Sequence, residues 1–203
     1  DLNPRGRGLD DTDWHIHTLY DGVLAGASTV RATFHRYVID ANRDPTGASR
    51  YPGQNTTDLV PVTDFDGRAI WLAPPTSVEL QHHRNAYHSV YHNALESELR
   101  RVRQRHGIAI WYDCHSIRSQ IPFLFEGTLP DFNIGTDEGR TCATDIERAV
   151  ESTCFGAKNY SSTTNGRFKG GWTTRHYGRP EDNVHAIQME LAQSTYLKSE
   201  SPP

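Results

Sequence analysis

The sequence is poor in several features, and each shortage excludes a class of protein. Its 203 residues include three cysteines and one methionine. No apolar run approaches the roughly 20 residues that a membrane-spanning helix needs. Acidic residues outnumber basic ones, 25 to 21, which argues against nucleic acid as the main partner. The odd, widely spaced cysteines (Cys114, Cys142 and Cys154) indicate reduced thiols and predict a cytoplasmic protein.

Hydrophobic residues make up 35% of the sequence, which suffices for the core of one folded domain over residues 1–203. Apolar spacing predicts three helices, at 13–27, at 144–153 and from Thr76 or Ser77 to Gly107. It also predicts three strands, at 28–34, 108–112 and 184–189. Thr76-Ser77-Val78-Glu79 fits a capping box. Alternating helices and strands predict an α/β fold, a three-layer αβα domain around a mostly parallel mixed sheet.

Eleven histidines are the most conspicuous part of the composition. Five of them lie in a charged stretch of the long helix, and we predict that these are solvated: His82, His83, His88, His92 and His106. Neutral imidazole is a common metal ligand and acid–base group, so each of the other six histidines is a candidate for such a role.

Two polar segments offer metal ligands. Asp113-Cys114-His115 follows the predicted strand 108–112, where His115 could bind a metal while Asp113 accepts its other ring N–H. The alternative is a histidine hydrogen-bonded within a loop. Asp11 or Asp13 could add a carboxylate ligand, although acidic residues at a helix start are also ordinary caps.

Three further segments suit an anionic substrate and its hydrolysis. Asn42-Arg43 matches bidentate capture of a carboxylate, and the alternative is a surface arginine. A Gly-rich basic cluster supplies more cations but also fits a hairpin: Arg167, Lys169, Arg175 and His176. Glu190, at the end of the last apolar run, could be the general base that deprotonates a metal-bound water.

Seven segments together resemble the N-formylglutamate deformylase (N-formylglutamate amidohydrolase) family over nearly the whole chain. They are DTDWH (11–15), RYVIDANR (36–43), YPGQNTT (51–57), DCHSIRS (113–119), LPDFNIGT (129–136), NGRFKGGWTTRHYG (165–178) and HAIQMELAQSTY (185–196). The family resembles zinc carboxypeptidases and aspartoacylases, which implies a phosphorylase/hydrolase-like αβα fold.

The resemblance implies zinc-dependent hydrolysis of N-formyl-L-glutamate to formate and L-glutamate in histidine degradation. By this likeness His115 and a carboxylate (Asp13, or else Asp11) bind the metal, and Glu190 is the base. Asn42 and Arg43 hold a substrate carboxylate, and Arg36 or Arg118 polarises the formyl carbonyl. The basic cluster binds the second carboxylate or the oxyanion, and its candidate residues are Arg167, Lys169, Arg175 and His176.

The sequence departs from the family at both ends. Family members begin with a strand ending in Pro-His-x-Gly, whose His is an expected ligand, and they end with a further helix. We therefore expect a fragment that lacks both segments. Two alternatives share the residues above: a zinc amidohydrolase acting on another N-acyl amino acid, and an inactive domain that binds anions.

Overall fold

The computed structural model describes residues 1–48 and 57–200. The helices are α1 (Ile16–Leu19), α2 (Ser77–His83), α3 (Ser89–His106), α4 (Thr144–Gly156) and α5 (Trp172–Tyr177), and the strands are β1 (Ala109–Ile117), β2 (Phe132–Gly135), β3 (Ser162–Thr164) and β4 (Val184–Ala192). A five-residue π-helical segment, Arg84–His88, joins α2 to α3. Of the YPGQNTT motif, all but Thr57 lies outside the described residues.

Within the described residues, the strands form one sheet in the order β1-β4-β2-β3. β1 pairs with β4 in parallel, as β2 does with β3, while β2 and β4 are antiparallel. All nine positions of β4 are buried, because β4 has a strand on each side and a helix layer on each face. This explains its nearly continuous apolar sequence.

Helices cover both faces of this sheet, which confirms the predicted three-layer αβα class. On one face, Leu95 and Leu99 of α3 pack with Ala109 of β1. On the other, Cys154 of α4 packs with Ile187 and Met189 of β4. The long helix begins as predicted, since the Thr76 side chain accepts from the Glu79 N–H and the Glu79 carboxylate accepts from the Thr76 N–H.

The predicted helix 13–27 is wrong apart from the single turn of α1. Gly22 and Gly26 adopt positive φ, and Val23 and Leu24 are 70% and 71% exposed, so the apolar stripe beyond Tyr20 does not pack on the core. The predicted strand 28–34 is also absent from the described chain. Its apolar residues Val30 and Phe34 pack against hydrophobic clusters instead of joining the sheet.

The two long strands extend further than predicted, and three short elements were not predicted. β1 continues to Ile117, so His115 lies inside the strand and not after it. Glu190 likewise lies within β4, two residues before its end. The short strands β2 and β3 and the six-residue α5 were not predicted, because such short elements carry little periodic signal.

Candidate active site

Four polar side chains lie in pairs on one face of the sheet. His115 on β1 is in register with Glu190 on β4, and Asp113 is in register with Gln188. Residues two apart on a strand point to the same face, so all four side chains project together. The hydrophobic positions between them, Cys114 and Met189, face the opposite layer. The alternation of the two strands therefore builds a polar cluster inside a buried sheet.

His115 lies between two carboxylates. Its Nε2 is 3.0 Å from Asp113 Oδ1, and its Nδ1 is 3.4 Å from Asp13 Oδ1. Burial opposes a charge on the ring, but the Asp113 and Asp13 carboxylates outweigh burial and raise the pKa of His115 well above its ordinary value. The two carboxylates therefore favour the charged form of the ring.

Glu190 is the buried acid of the cluster, with 7% of its surface exposed. Burial, with the nearby Asp13 and Asp113 carboxylates, raises its pKa to about 7, although His115 and Arg36 pull it down. Gln188 Nε2 donates to Glu190 Oε2 at 3.0 Å. A carboxylate that changes protonation near neutral pH suits general acid–base catalysis.

The segment before α1 brings a carboxylate to the sheet. Asp13 Oδ1 accepts the backbone N–H of Ser116 at 2.7 Å, and Arg36 donates to Asp13 Oδ2 at 3.0 Å. Despite burial, His115 and Arg36 hold the pKa of Asp13 well below its usual range. Asp11 is committed elsewhere, since its carboxylate accepts the Tyr37 hydroxyl and a backbone N–H. Of the two predicted ligands, Asp13 is the one beside His115.

Asn42 lies in a turn after Asp40, against the polar cluster. Its Oδ1 accepts the Thr173 N–H at 3.0 Å, which fixes the orientation of the amide. Its Nδ2 then faces His115 Nε2 at 3.3 Å and Gln188 Oε1 at 3.4 Å. The neighbouring Arg43 donates to the Thr57 carbonyl and hydroxyl at 3.0 and 2.7 Å.

Two histidines of the long helix hold this turn from behind. His88 Nε2 donates to the Arg43 carbonyl at 3.1 Å, and His92 Nε2 donates to the Ala41 carbonyl at 2.9 Å. Both rings are buried, with 3% and 8% exposed. The prediction that they are solvated is therefore wrong. Helical spacing alone could not reveal that another segment covers this side of the helix.

The Gly-rich cluster lines the opposite wall. Arg175 donates to the Gly170 carbonyl, and Lys169 donates to Glu138 at 2.7 Å. The Gly171 N–H donates to Gln188 Oε1. A Cβ at Gly171 would overlap the Asn42 amide, so this close approach requires glycine.

These walls enclose a cavity of about 180 Å³. Eight of the predicted site residues line it: Arg36, Asn42, Arg43, His115, Arg167, Lys169, Arg175 and Glu190. Asp13 lies beside His115 and is not part of this lining, and two other predicted residues lie elsewhere. Arg118 forms an ion pair with Asp66 at 2.9 Å, and His176 is exposed and stacks on Trp172 at 4.3 Å.

The structure adds residues that sequence reasoning missed. Gln188 bridges Glu190, Asn42 and Gly171, and His88 and His92 support the Asn42 turn. The available signal for Gln188 was a polar residue in a nearly continuous apolar run, two positions before Glu190. The two helical histidines gave no comparable signal.

The donor set for a metal ion is incomplete. Within residues 1–48 and 57–200, no group of three or more His, Cys, Asp or Glu side chains is arranged to hold one. His115 Nδ1 and Asp13 Oδ1 do have zinc-type chemistry. Their 3.4 Å separation is close to that of two ligands on a tetrahedral zinc ion with bonds of about 2.0–2.1 Å. The described residues therefore fall one donor short of the usual three.

A buried carboxylate with a raised pKa, in a cavity walled by arginine and lysine on an αβα sheet, defines a hydrolase for an anionic substrate. Known proteins narrow this class. The family model for N-formylglutamate amidohydrolase matches residues 1–197. The chain belongs to the N-formylglutamate amidohydrolase family.

Individual relatives agree with this assignment. The chain is 45% identical to the N-formylglutamate deformylases of Pseudomonas aeruginosa and Pseudomonas putida, over 99% of its own length and 76% of theirs. The crystal structure of N-formylglutamate amidohydrolase from Ralstonia eutropha superposes with a TM-score of 0.76 at 26% identity, covering 98% of this chain and 76% of that one. In the described part of this chain, no helix is long and apolar enough to cross a membrane.

Proposed function

We propose that this protein hydrolyses N-formyl-L-glutamate to formate and L-glutamate. Family membership supports the reaction, and the structural observation that carries the proposal is Glu190. This buried carboxylate, with a pKa near 7, faces a cavity whose walls hold the positive charge that a dicarboxylate requires.

In the proposed mechanism, Glu190 is the general base. It removes a proton from the water that attacks the formyl carbon, and it then delivers this proton to the leaving amine nitrogen. A base is most effective when its pKa lies near the working pH, and burial brings Glu190 into that range. The attack places negative charge on the former carbonyl oxygen, which needs a positively charged or hydrogen-bonding neighbour.

We assign that neighbour to Arg36 and not to Arg118. Arg36 lines the cavity and is fixed by Asp13 at 3.0 Å and Asp40 at 3.6 Å, so its guanidinium is already oriented. Arg118 instead pairs with Asp66. Removal of one preorganised donor to an oxyanion costs about 10²–10³ in kcat.

The substrate's two carboxylates are assigned to the cavity walls. Asn42 and Arg43 take one of them, and the cations of the Gly-rich cluster take the other: Arg167, Lys169 and Arg175. Five cations line the cavity, Arg36 and the four named here, which favours a doubly charged substrate over a neutral amide. His176 is left out of this assignment because it is exposed and packs on Trp172.

We also propose that the reaction is metal-dependent, with zinc held by His115 and Asp13 and by a third donor from outside the described residues. When bound, zinc would lower the pKa of a coordinated water toward ~7. Asp113 would accept the other ring N–H of His115 and so fix its orientation. The reaction would be the last step of histidine degradation. Three free cysteines support a cytoplasmic setting.

The test measures release of the free amino acid from N-formylglutamate, N-formylaspartate and N-acetylaspartate. We expect the first to be preferred, and preference for another substrate would indicate a different amidohydrolase. Glu190→Gln should abolish turnover and leave substrate binding nearly intact, whereas Glu181→Gln, an exposed control, should change neither. Near-normal kcat in Glu190→Gln would refute the base assignment.

Metal content after dialysis tests the cofactor separately. The metal site would be supported if the unmodified protein retains stoichiometric zinc and the His115→Ala variant loses it. Full turnover by metal-free protein would refute metal dependence but leave the amide hydrolysis standing. Substrate binding without turnover, in protein that holds metal, would favour the inactive anion-binding alternative.

A further inference from the structure

Gln188 is a buried polar residue of the central strand to which the proposed mechanism gives no role. It is 3% exposed, and its side chain projects from the same face of β4 as that of Glu190. A buried amide stabilises a fold only if its donors and acceptors are satisfied. The question is therefore what its hydrogen bonds accomplish.

The orientation of the Gln188 amide follows from its partners. A backbone N–H can only donate, so the Gly171 N–H requires an oxygen at the position of Oε1. This places Nε2 on the other side, where it donates to Glu190 Oε2 at 3.0 Å. A flipped amide would direct N–H against N–H at Gly171 and oxygen against carboxylate at Glu190.

The same oxygen also receives Asn42. Asn42 Nδ2 lies 3.4 Å from Gln188 Oε1, and its own orientation is fixed by the Thr173 N–H. One side chain therefore contacts the proposed base, the turn that carries Asn42 and Arg43, and the Gly-rich wall. These segments are far apart in sequence and meet at Gln188.

We infer that Gln188 is a positioning residue that orients the Glu190 carboxylate and ties it to the two segments that bind substrate. This inference rests on the proposed function, in which Glu190 is the base. With the Gln188 hydrogen bond, Oε2 of Glu190 is occupied, and the proton of the attacking water would go to the other oxygen, Oε1. Without this bond, the carboxylate can rotate about its last side-chain bond.

Gln188→Met tests this role, since methionine has a similar length and no hydrogen-bonding amide. Misplacement of a catalytic group by about 1 Å can cost about 10²-fold in rate, and we expect a loss in kcat of that order. Thr141→Val is the matched control. It removes a buried hydroxyl that donates to the Ala186 carbonyl of the same strand, away from the cavity. This control should lose stability and keep its kcat.

A double-mutant cycle separates positioning from general weakening of the fold. If Gln188 acts through Glu190, Gln188→Met should lower kcat in the unmodified protein and have little effect in a Glu190→Asp background, whose shorter side chain keeps a carboxylate and a reduced, measurable turnover but moves it away from the Gln188 amide. An equal fold-loss in both backgrounds would overturn the inference, and so would an unchanged kcat in the single variant.

A crystal structure of Gln188→Met provides a readout that does not depend on turnover. We expect the Glu190 carboxylate to leave its present position or to occupy more than one rotamer. A carboxylate that stays in place would overturn the inference even in an active enzyme. If the unmodified protein hydrolyses none of the three substrates, the proposed function fails. The crystal structure then decides the role of Gln188 alone.

Discussion

Replacement of His92 by phenylalanine should weaken the protein in a way that depends on pH. In the folded protein, burial and the neighbouring His88 lower the pKa of His92 to about 4 from an ordinary 6.5, so the ring is neutral. The neutral ring donates from Nε2 to the Ala41 carbonyl and accepts the Tyr177 hydroxyl at Nδ1. His92→Phe removes both bonds and leaves the Ala41 carbonyl with only the Thr173 hydroxyl at 3.5 Å, and such loss of a hydrogen-bond partner in the interior costs about 1–3 kcal/mol.

The sign of the pH dependence follows from proton binding. Between pH 6.5 and about 4, the unfolded chain binds a proton at His92 that the folded chain does not. The stability that neutral His92 contributes is therefore complete above pH 6.5 and is lost as the pH falls toward 4. The shift from 6.5 to about 4 corresponds to about 3 kcal/mol at 1.36 kcal/mol per unit.

Urea denaturation at several pH values measures this contribution. The difference in unfolding free energy between the unmodified protein and His92→Phe should shrink by about 3 kcal/mol from pH 7.5 to pH 4. Subtraction of the two curves removes the contributions of the histidines that lie away from His92. His106→Phe, at an exposed position on the same helix, is the control for the effect of the histidine-to-phenylalanine replacement itself. A difference for His92→Phe that does not change with pH would refute the reasoning.

The same variant has a functional consequence. His92 and His88 hold the carbonyls on either side of Asn42, so their loss frees the turn that is proposed to bind a substrate carboxylate. KM for N-formylglutamate should rise more than kcat falls, and His92→Gln should recover part of the effect because its amide can still donate to Ala41. A KM that matches the unmodified protein would show that the turn is held without these bonds.

Three further outcomes follow from particular contacts. Arg118→Met should leave kcat within about twofold, because this side chain pairs with Asp66 outside the cavity, while Arg36→Met should lower kcat by about 10²–10³. Comparable losses in the two variants would contradict the assignment of Arg36. Gly171→Ala should raise KM, because the new Cβ overlaps the Asn42 amide. An unchanged KM would show that the Gly-rich wall shifts to accommodate the added methyl group. Thr76→Ala should cost about 1 kcal/mol of unfolding free energy without changing turnover, since it removes only a helix cap. A change in kcat would indicate that this distant cap reaches the site.

The sequence predicts those structural features that depend on interactions between residues close together in the chain. The capping box at Thr76, the left-handed Gly107 that ends the long helix and the strand that begins directly after it at Ala109 are decided by residues close in sequence. Those features agree with prediction. His115 and Glu190 were likewise found from their places beside apolar strands, and both line the cavity.

The tertiary structure alone decided which polar residues meet. Nothing in the local pattern tells Asp11 from Asp13, and the choice comes from Tyr37 and Ser116, which bind one carboxylate each from distant segments. His88 and His92 follow a helical pattern typical of solvent exposure, yet the Asn42 turn buries them. Burial and hydrogen bonding between distant segments set the pKa of Glu190 and the orientation of Gln188. The sequence by itself determined the αβα frame and the chemical types of the site, and long-range polar contacts determined the site's geometry.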